Sequence, residues 1–267
     1  MQTTGNTILI TGGGTGIGRA LAEAFHKQGN KVIITGRREQ PLKETAAANQ
    51  GPNNSGMEWL TLDVQHAESV NAFAKEAINR FPALNVVIHN AGIMQIENFL
   101  ESSADSSAVE AVINTNLTAP LRLTAALLPH FLAQPHATVI TVSSGLAFVP
   151  LAAAPTYNAT KAAIHSWTQS LRYQLRDTKV EVLEIIPPYV QTELGGPSQA
   201  ADPRAMPLAD FISEVMQLIA SQPASGEINV ERVYPLRFAA DSGPDKLKGQ
   251  QQYDAFVSRF NGMFAGH

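Results

Sequence analysis

Cysteine is absent from all 267 residues, which excludes disulfide staples, thiolate nucleophiles and cysteine metal sites while leaving the redox compartment open. Charge is sparse at 16%, with a net of -4 and no block of lysine and arginine, so the basic stripe of a nucleic-acid-binding surface is not expected. Long apolar runs are also missing. The best stretch, Leu117 to Ala133, is broken by Pro120, Arg122, Pro129 and His130, short of the roughly 18–20 clean residues a membrane span needs. No basic start precedes the first apolar segment, Ile8-Leu9-Ile10, so a secretory leader is not expected and the chain reads as cytoplasmic. The histidines lack metal-ligand spacing: His130 and His136 straddle Pro135, and His165 reads as a satisfied helix histidine, so no metal is expected.

What is present is a 44% hydrophobic complement, enough to bury the core of one ordinary domain spanning residues 1–267. Short β-branched runs at Thr7–Thr11, Lys31–Thr35, Glu58–Leu62, Asn85–His89, Thr138–Val142 and Val180–Ile186 read as strands. Helical patterns fall between them, at about 17–29, 39–49, 66–80, 105–114, 118–133, 156–176 and 208–220. Strands such as Val86-Val87-Ile88 are apolar without alternation, as parallel strands covered on both faces should be. The expected fold class is α/β, a Rossmann-type doubly wound parallel sheet in a single three-layer domain. Residues 49–56 read as a surface loop and 187–207 as a longer irregular insertion, the start of a substrate loop over about 188–222.

The first strand runs into Thr11-Gly12-Gly13-Gly14-Thr15-Gly16-Ile17-Gly18, which opens the first helix. Glycines there let the backbone approach a pyrophosphate at the positive helix N-terminus, although a plain tight turn would use the same residues. At the end of the second strand Gly36 stands where an acidic residue would grip a ribose 2′-hydroxyl, and Arg37 and Arg38 offer forks for a 2′-phosphate. NADP is therefore expected over NAD. The alternative is a pair of solvated arginines, with Glu39 reaching the ribose.

Tyr157 and Lys161 stand one helical turn apart, so their side chains share a helix face. A nearby ammonium favours phenolate and should lower the tyrosine pKa from its reference of about 10, making it fit for proton exchange. Ser144 lies upstream. No Ser/His/Asp triad is indicated.

The glycine turn, Asn90-Ala91-Gly92, Asn116, Ser144 and the Tyr157/Lys161 pair occur in the order and spacing of the classical short-chain dehydrogenase/reductase family, which the chain resembles over nearly its whole length. Segments such as Ser144–Ala152 and Glu231-Arg232-Val233 are similar to the subgroup of oxidoreductases named after the D-alanylation operon of Gram-positive bacteria. The resemblance implies hydride transfer between NADP(H) and a small carbonyl or alcohol substrate. It implies that Tyr157 is the acid/base, that Lys161 lowers its pKa and holds the nicotinamide ribose, that Ser144 donates to the substrate oxygen, and that Asn116 positions a water. It also implies Gly12, Thr15, Gly16, Ile17 and Gly18 at the phosphates, Asp63 and Val64 at the adenine, Asn90, Ala91 and Gly92 near the ribose, and Pro187, Val190 and Thr192 at the carboxamide. Asp63 as a turn cap, Asn90 as a strand stitch and Thr192 as a loop start are the plain structural alternatives. A homodimer or larger homo-oligomer is the implied assembly.

By position, Phe148 and Tyr189 join Ser144 and Tyr157 as candidate substrate contacts, with Met94, Leu194 and Met206 nearby. Three positions depart from the family pattern. His89 replaces the first asparagine of Asn-Asn-Ala-Gly, Pro188 replaces the glycine of a Pro-Gly turn, and a C-terminal extension over about 231–267 replaces the usual ending. Two rivals compete with this reading. One is a cofactor-binding sensor that turns nothing over; the other is an epimerase or dehydratase, which the short tail disfavours.

Overall fold

The structure, a computed structural model, describes residues 1–51, 56–64, 66–100, 106–241 and 246–264. Seven parallel strands form one sheet in the order β3-β2-β1-β4-β5-β6-β7. They are β1 (Thr7–Thr11), β2 (Lys31–Gly36), β3 (Glu58–Thr61), β4 (Leu84–His89), β5 (Ala137–Val142), β6 (Val180–Ile186) and β7 (Glu227–Asn229). The order reverses between β1 and β4, and ligands of such sheets bind at that switch point, outside the carboxyl ends of the strands.

Period-2 geometry divides the core between two faces. Ile8, Ile10, Ile34, Val86, Ile88 and Ile140 point to one face, where α1 (Gly16–Lys27) and α8 (Leu208–Ser221) bring Leu21, Phe25, Phe211 and Val215. Leu9, Ile33, Val87 and Val139 point to the other, under α3 (Ala67–Arg80), α5 (Ala119–Ala133) and α6 (Pro155–Leu175), which supply Phe73, Leu123, Phe131 and Leu171. Each fully buried Phe or Leu contributes about 1.5–3 kcal/mol, so both helical layers are held by burial rather than by propensity. The three-layer, doubly wound arrangement is the one expected. Helix α2 (Glu39–Ala48) completes the β2–β3 connection.

Two predicted helices meet without a break. Helix α4 (Ser106–Ile113) passes through a π-turn at Asn114–Thr118 directly into α5. Pro120 gives the reason. A proline ring clashes with the carbonyl of the residue four before it, here Asn116, and the wider π-turn relieves that clash without ending the helix. The irregular stretch after β6 carries a short helix, α7 (Pro197–Ala201), and a bridge between Val190 and Met206. Met206 and Phe211 are core residues. The C-terminal region adds α9 (Tyr234–Arg237) and α10 (Lys246–Gly262), neither expected from the sequence. Residues 52–55, 105, 242–245 and 265–267, parts of the predicted loop, helix and extension, lie outside the described residues. No helix among the described residues is long and apolar enough to cross a membrane.

Candidate active site

A cavity of about 870 Å³ opens at the carboxyl ends of the strands on both sides of the switch point. It begins at the turn after β1, where Gly12 takes φ +69°, a left-handed conformation that favours glycine. A side chain at Gly18 would meet the Asn90 amide nitrogen and the Gly12 carbonyl oxygen at 2.3 Å, so glycine there lets α1 close on the loop after β4. The Thr11 hydroxyl accepts from the N–H groups of Asn90 and Ala91 at 3.0 Å, and the Asn90 amide donates to the carbonyls of Thr11 at 3.0 Å and Gly12 at 3.3 Å. These bonds hold Asn90, Ala91 and Gly92 against the turn. Gly12, Thr15, Gly16 and Ile17 line the cavity with them, at the positive end of α1, while Gly18 packs behind.

Arg37 and Arg38, both exposed, form the wall beyond β2, and Leu62 and Val64 line it from the loop after β3. Asp63 is not on the wall; its carboxylate stands 3.9 Å from His66. Glu39 pairs with Lys43 at 2.6 Å and is likewise off the wall.

At the opposite end Ser144 precedes a 3₁₀ turn, Gly145–Ala147, and accepts the N–H of Leu146 at 3.1 Å. Its hydroxyl lies beside the Tyr157 phenol and acts to favour the phenolate. Pro155 opens α6, the position where a missing N–H costs nothing, and so sets Tyr157 in its first turn. Lys161, one turn further, donates to the Val142 carbonyl at 2.8 Å, with its amine 5.5 Å from the Tyr157 ring centroid. Burial pushes Tyr157 up to about 12, against the opposing pull of the Ser144 hydroxyl. On balance the phenol is raised rather than lowered, because loss of hydration disfavours phenolate more than the Ser144 hydroxyl favours it. Burial brings Lys161 down to about 8, and the charge of Glu184 acts the other way.

Asn116 sits in the π-turn and is not on the cavity wall. Its side chain accepts the N–H of Ile93, donates to the Ile93 carbonyl and reaches the Thr160 hydroxyl at 3.2 Å, tying the loop after β4 to α6. Two buried hydroxyls on the wall, Ser143 Oγ and Thr115 Oγ1, have no hydrogen-bond partner among the described residues. Buried His89 occupies its strand position as a neutral ring, held to about 3 by burial and bonded to Thr124 at 2.7 Å.

Pro187, Pro188, Val190 and Thr192 line the cavity after β6, and Met94 and Leu194 form its apolar lip. Gln199, which no sequence motif marked, ties this wall together. It donates to the Val190 carbonyl at 2.8 Å and the Thr192 hydroxyl at 3.2 Å, and accepts from Gly195 N–H at 2.8 Å. Phe148 and Tyr189 are elsewhere. The Phe148 ring meets His165 edge-on at 4.6 Å with the Arg237 guanidinium 4.6 Å from its centroid, and Tyr189 bonds Asp202 and packs on Phe264. The C-terminal segment draws both away from the cavity. Tyr253 donates to the Phe148 carbonyl at 2.8 Å, Asn261 bonds Pro150 and Ala152, and Arg204 donates to the Met263 carbonyl at 3.0 Å. Helix α10 therefore straps the loop after β5 to the segment after β6.

The short chain dehydrogenase family model matches residues 6–203 of this chain. The uncharacterized oxidoreductase DltE of Bacillus subtilis (strain 168) is 40% identical over 250 residues, covering 92% of this chain and 96% of its own. Among solved structures, a short chain dehydrogenase from Salmonella enterica serovar Typhi is 28% identical with a TM-score of 0.74, over 83% of this chain and 94% of that one. A short chain dehydrogenase from Shigella flexneri complexed with NADP is 26% identical with a TM-score of 0.73, over 84% and 95%.

Proposed function

The chain belongs to the short-chain dehydrogenase family, oxidoreductases that act on CH–OH and C=O groups with a nicotinamide dinucleotide, and from that premise we propose that it reduces a small carbonyl compound with NADPH. The observation that carries this reading is the meeting of Ser144, Tyr157 and Lys161 at one end of a cavity whose other end is bounded by Arg37 and Arg38.

The residues suit the dinucleotide. Gly12, Thr15, Gly16 and Ile17 would hold the pyrophosphate at the head of α1, and the guanidinium forks of Arg37 and Arg38 the 2′-phosphate. Val64 would flank the adenine, and Asn90, Ala91, Gly92 and Lys161 the ribose. Pro187, Val190 and Thr192 would hold the carboxamide, with the unpartnered hydroxyls of Ser143 and Thr115 free to bond nearby groups. The NADP complex of the Shigella relative supports this coenzyme, with NAD the less favoured alternative. When bound, NADPH supplies the hydride.

Tyr157 would act as the acid. Held protonated at neutral pH, it can give its proton to a carbonyl oxygen. The Lys161 ammonium would then stabilise the phenolate left behind, and the Ser144 hydroxyl would bond the oxygen on which charge develops. Asn116 supports this set by fixing Ile93 and Thr160. The Met94 and Leu194 lip favours a partly apolar substrate. Exposed Leu132 on α5 and Tyr173 on α6 support a homodimer through these helices, which a purely monomeric light-scattering mass would contradict. Dependence on an intracellular coenzyme pool supports a cytoplasmic location.

Nicotinamide absorbance should fall when NADPH and a carbonyl panel are supplied, less with NADH, and Tyr157→Phe should lower the rate at least about 100-fold. Tight coenzyme binding with no turnover anywhere would contradict the enzyme reading and favour a sensor.

A further inference from the structure

Behind the proposed catalytic residues lies a charged cluster that the proposed reaction does not use. Glu184, on β6, has no solvent exposure, and its two carboxylate oxygens take the Nδ1 of His165 at 3.0 and 2.9 Å. His165 stands one turn after Lys161 on α6, so both project from one helix face toward the same end of the sheet. The strand register pairs Glu184 with Thr141 and the next residue, Ile185, with Val142, whose carbonyl accepts the Lys161 amine. Glu184 is thus one register position from the strand residue that Lys161 touches.

We propose that Glu184 is a positioning residue of this site, the buried counter-charge that keeps the Lys161 amine an ammonium, with His165 fixing the carboxylate in place. The proposal rests on the reading of Lys161 as the partner of Tyr157. Burial strips hydration from the amine, and among the described residues no carboxylate forms a direct ion pair with it, so the charge that can offset part of that loss acts through space. Burial alone lowers Lys161, and the attraction of Glu184 is what opposes it.

The other charges around Glu184 are already matched. Glu227 on β7 lies close enough that one atom each of His165, Glu184 and Glu227 fall within 4.8 Å, but Arg237 on α9 holds Glu227 through bonds of 2.8 and 2.9 Å, and Asn229 adds a third at 3.0 Å. Arg172 on α6 is directed at the Val182 and Gly226 carbonyls. Strand β5, on the other side of β6, carries no ionisable side chain. Apart from Arg172 and from His165, which bonds the carboxylate itself, Lys161 is the basic side chain on this face of α6 that no other carboxylate bonds among the described residues.

The test is a direct titration of the Lys161 amine by its ¹³Cε resonance, assigned through its loss in Lys161→Arg, in wild type, Glu184→Gln and Glu184→Asp. Glu184→Gln, near-isosteric and uncharged, should lower the midpoint by about one pH unit or more, so that roughly tenfold less of the amine is charged above it. Glu184→Asp, which withdraws the charge by one methylene, should fall between the two, and it serves alone if the glutamine chain does not fold. The alkaline limb of the reduction rate should move down by the same interval, with the rate near pH 6 preserved. An unmoved Lys161 midpoint in both variants would overturn the proposal, even in a fully active enzyme. A lowered midpoint in chains that reduce nothing would support it and tell against the catalytic reading alone.

Discussion

The side-chain amide of Asn116 meets the backbone of Ile93 twice, accepting its N–H and donating to its carbonyl, each at 2.9 Å. Two complementary bonds between the same partners fix an orientation that one bond would leave free. Asn116→Ala should leave both Ile93 groups unpaired, costing about 1–3 kcal/mol and several degrees of melting temperature, and should lower kcat more than it raises the coenzyme KM. Thermal melts with steady-state kinetics check it; an unchanged melting temperature would contradict it.

His89 makes an acid-stability prediction. Its folded-state pKa of about 3 lies below the unfolded value near 6.5, so between these values the unfolded chain binds the extra proton and stability falls as pH falls. The contribution lost by pH 5 is about 2 kcal/mol. Urea midpoints at pH 7 and 5 should drop in wild type and drop less in His89→Asn. An equal drop in both chains would place the acid sensitivity elsewhere.

Arg37 and Arg38 together should set coenzyme choice. The double alanine variant should raise the KM for NADPH roughly 10- to 100-fold through lost charge-assisted bonds, and leave that for NADH nearly unchanged. Equal losses with the two coenzymes would return both arginines to the role of solvated surface charge.

The C-terminal strap should act on substrate rather than coenzyme. Asn261→Ala combined with Tyr253→Phe removes the bonds to Pro150, Ala152 and Phe148. The carbonyl KM should rise several-fold while nucleotide affinity, measured by fluorescence titration, holds. Loss of both would indicate that α10 supports the whole domain.

The long strands were legible because β-branched runs such as Thr7–Thr11 and Val180–Ile186 carry their own signal, and the glycine turn between β1 and α1 because glycine spacing is local. Strand β7 escaped notice because three residues, Glu227-Ile228-Asn229, hold too little pattern, and its pairing with β6 is a tertiary fact. The continuity of α4 and α5 was hidden by Pro120, whose ordinary meaning is a helix start. The positions of Phe148 and Tyr189 depend on Arg237, Tyr253 and Phe264, remote in sequence, so nearness to Ser144 or Pro188 along the chain could not reveal them. The sign of the Tyr157 shift was missed for a related reason. A motif names the neighbouring charge but not how dry the site is.

The π-turn at Asn114–Thr118 has a consequence for how this chain can vary in length. It holds one residue more than an α-helical turn would, so removing one there lets the turn close to α-helical spacing and leaves α5 in nearly the same rotation relative to α4. A deletion within the regular turns of α5 has no such slack and would turn everything after it by about 100°. A single-codon deletion between 114 and 118 that spares Asn116 should therefore be better tolerated than one within Ala119–Ala133. Along this helix pair, the wide turn is where residue count can change.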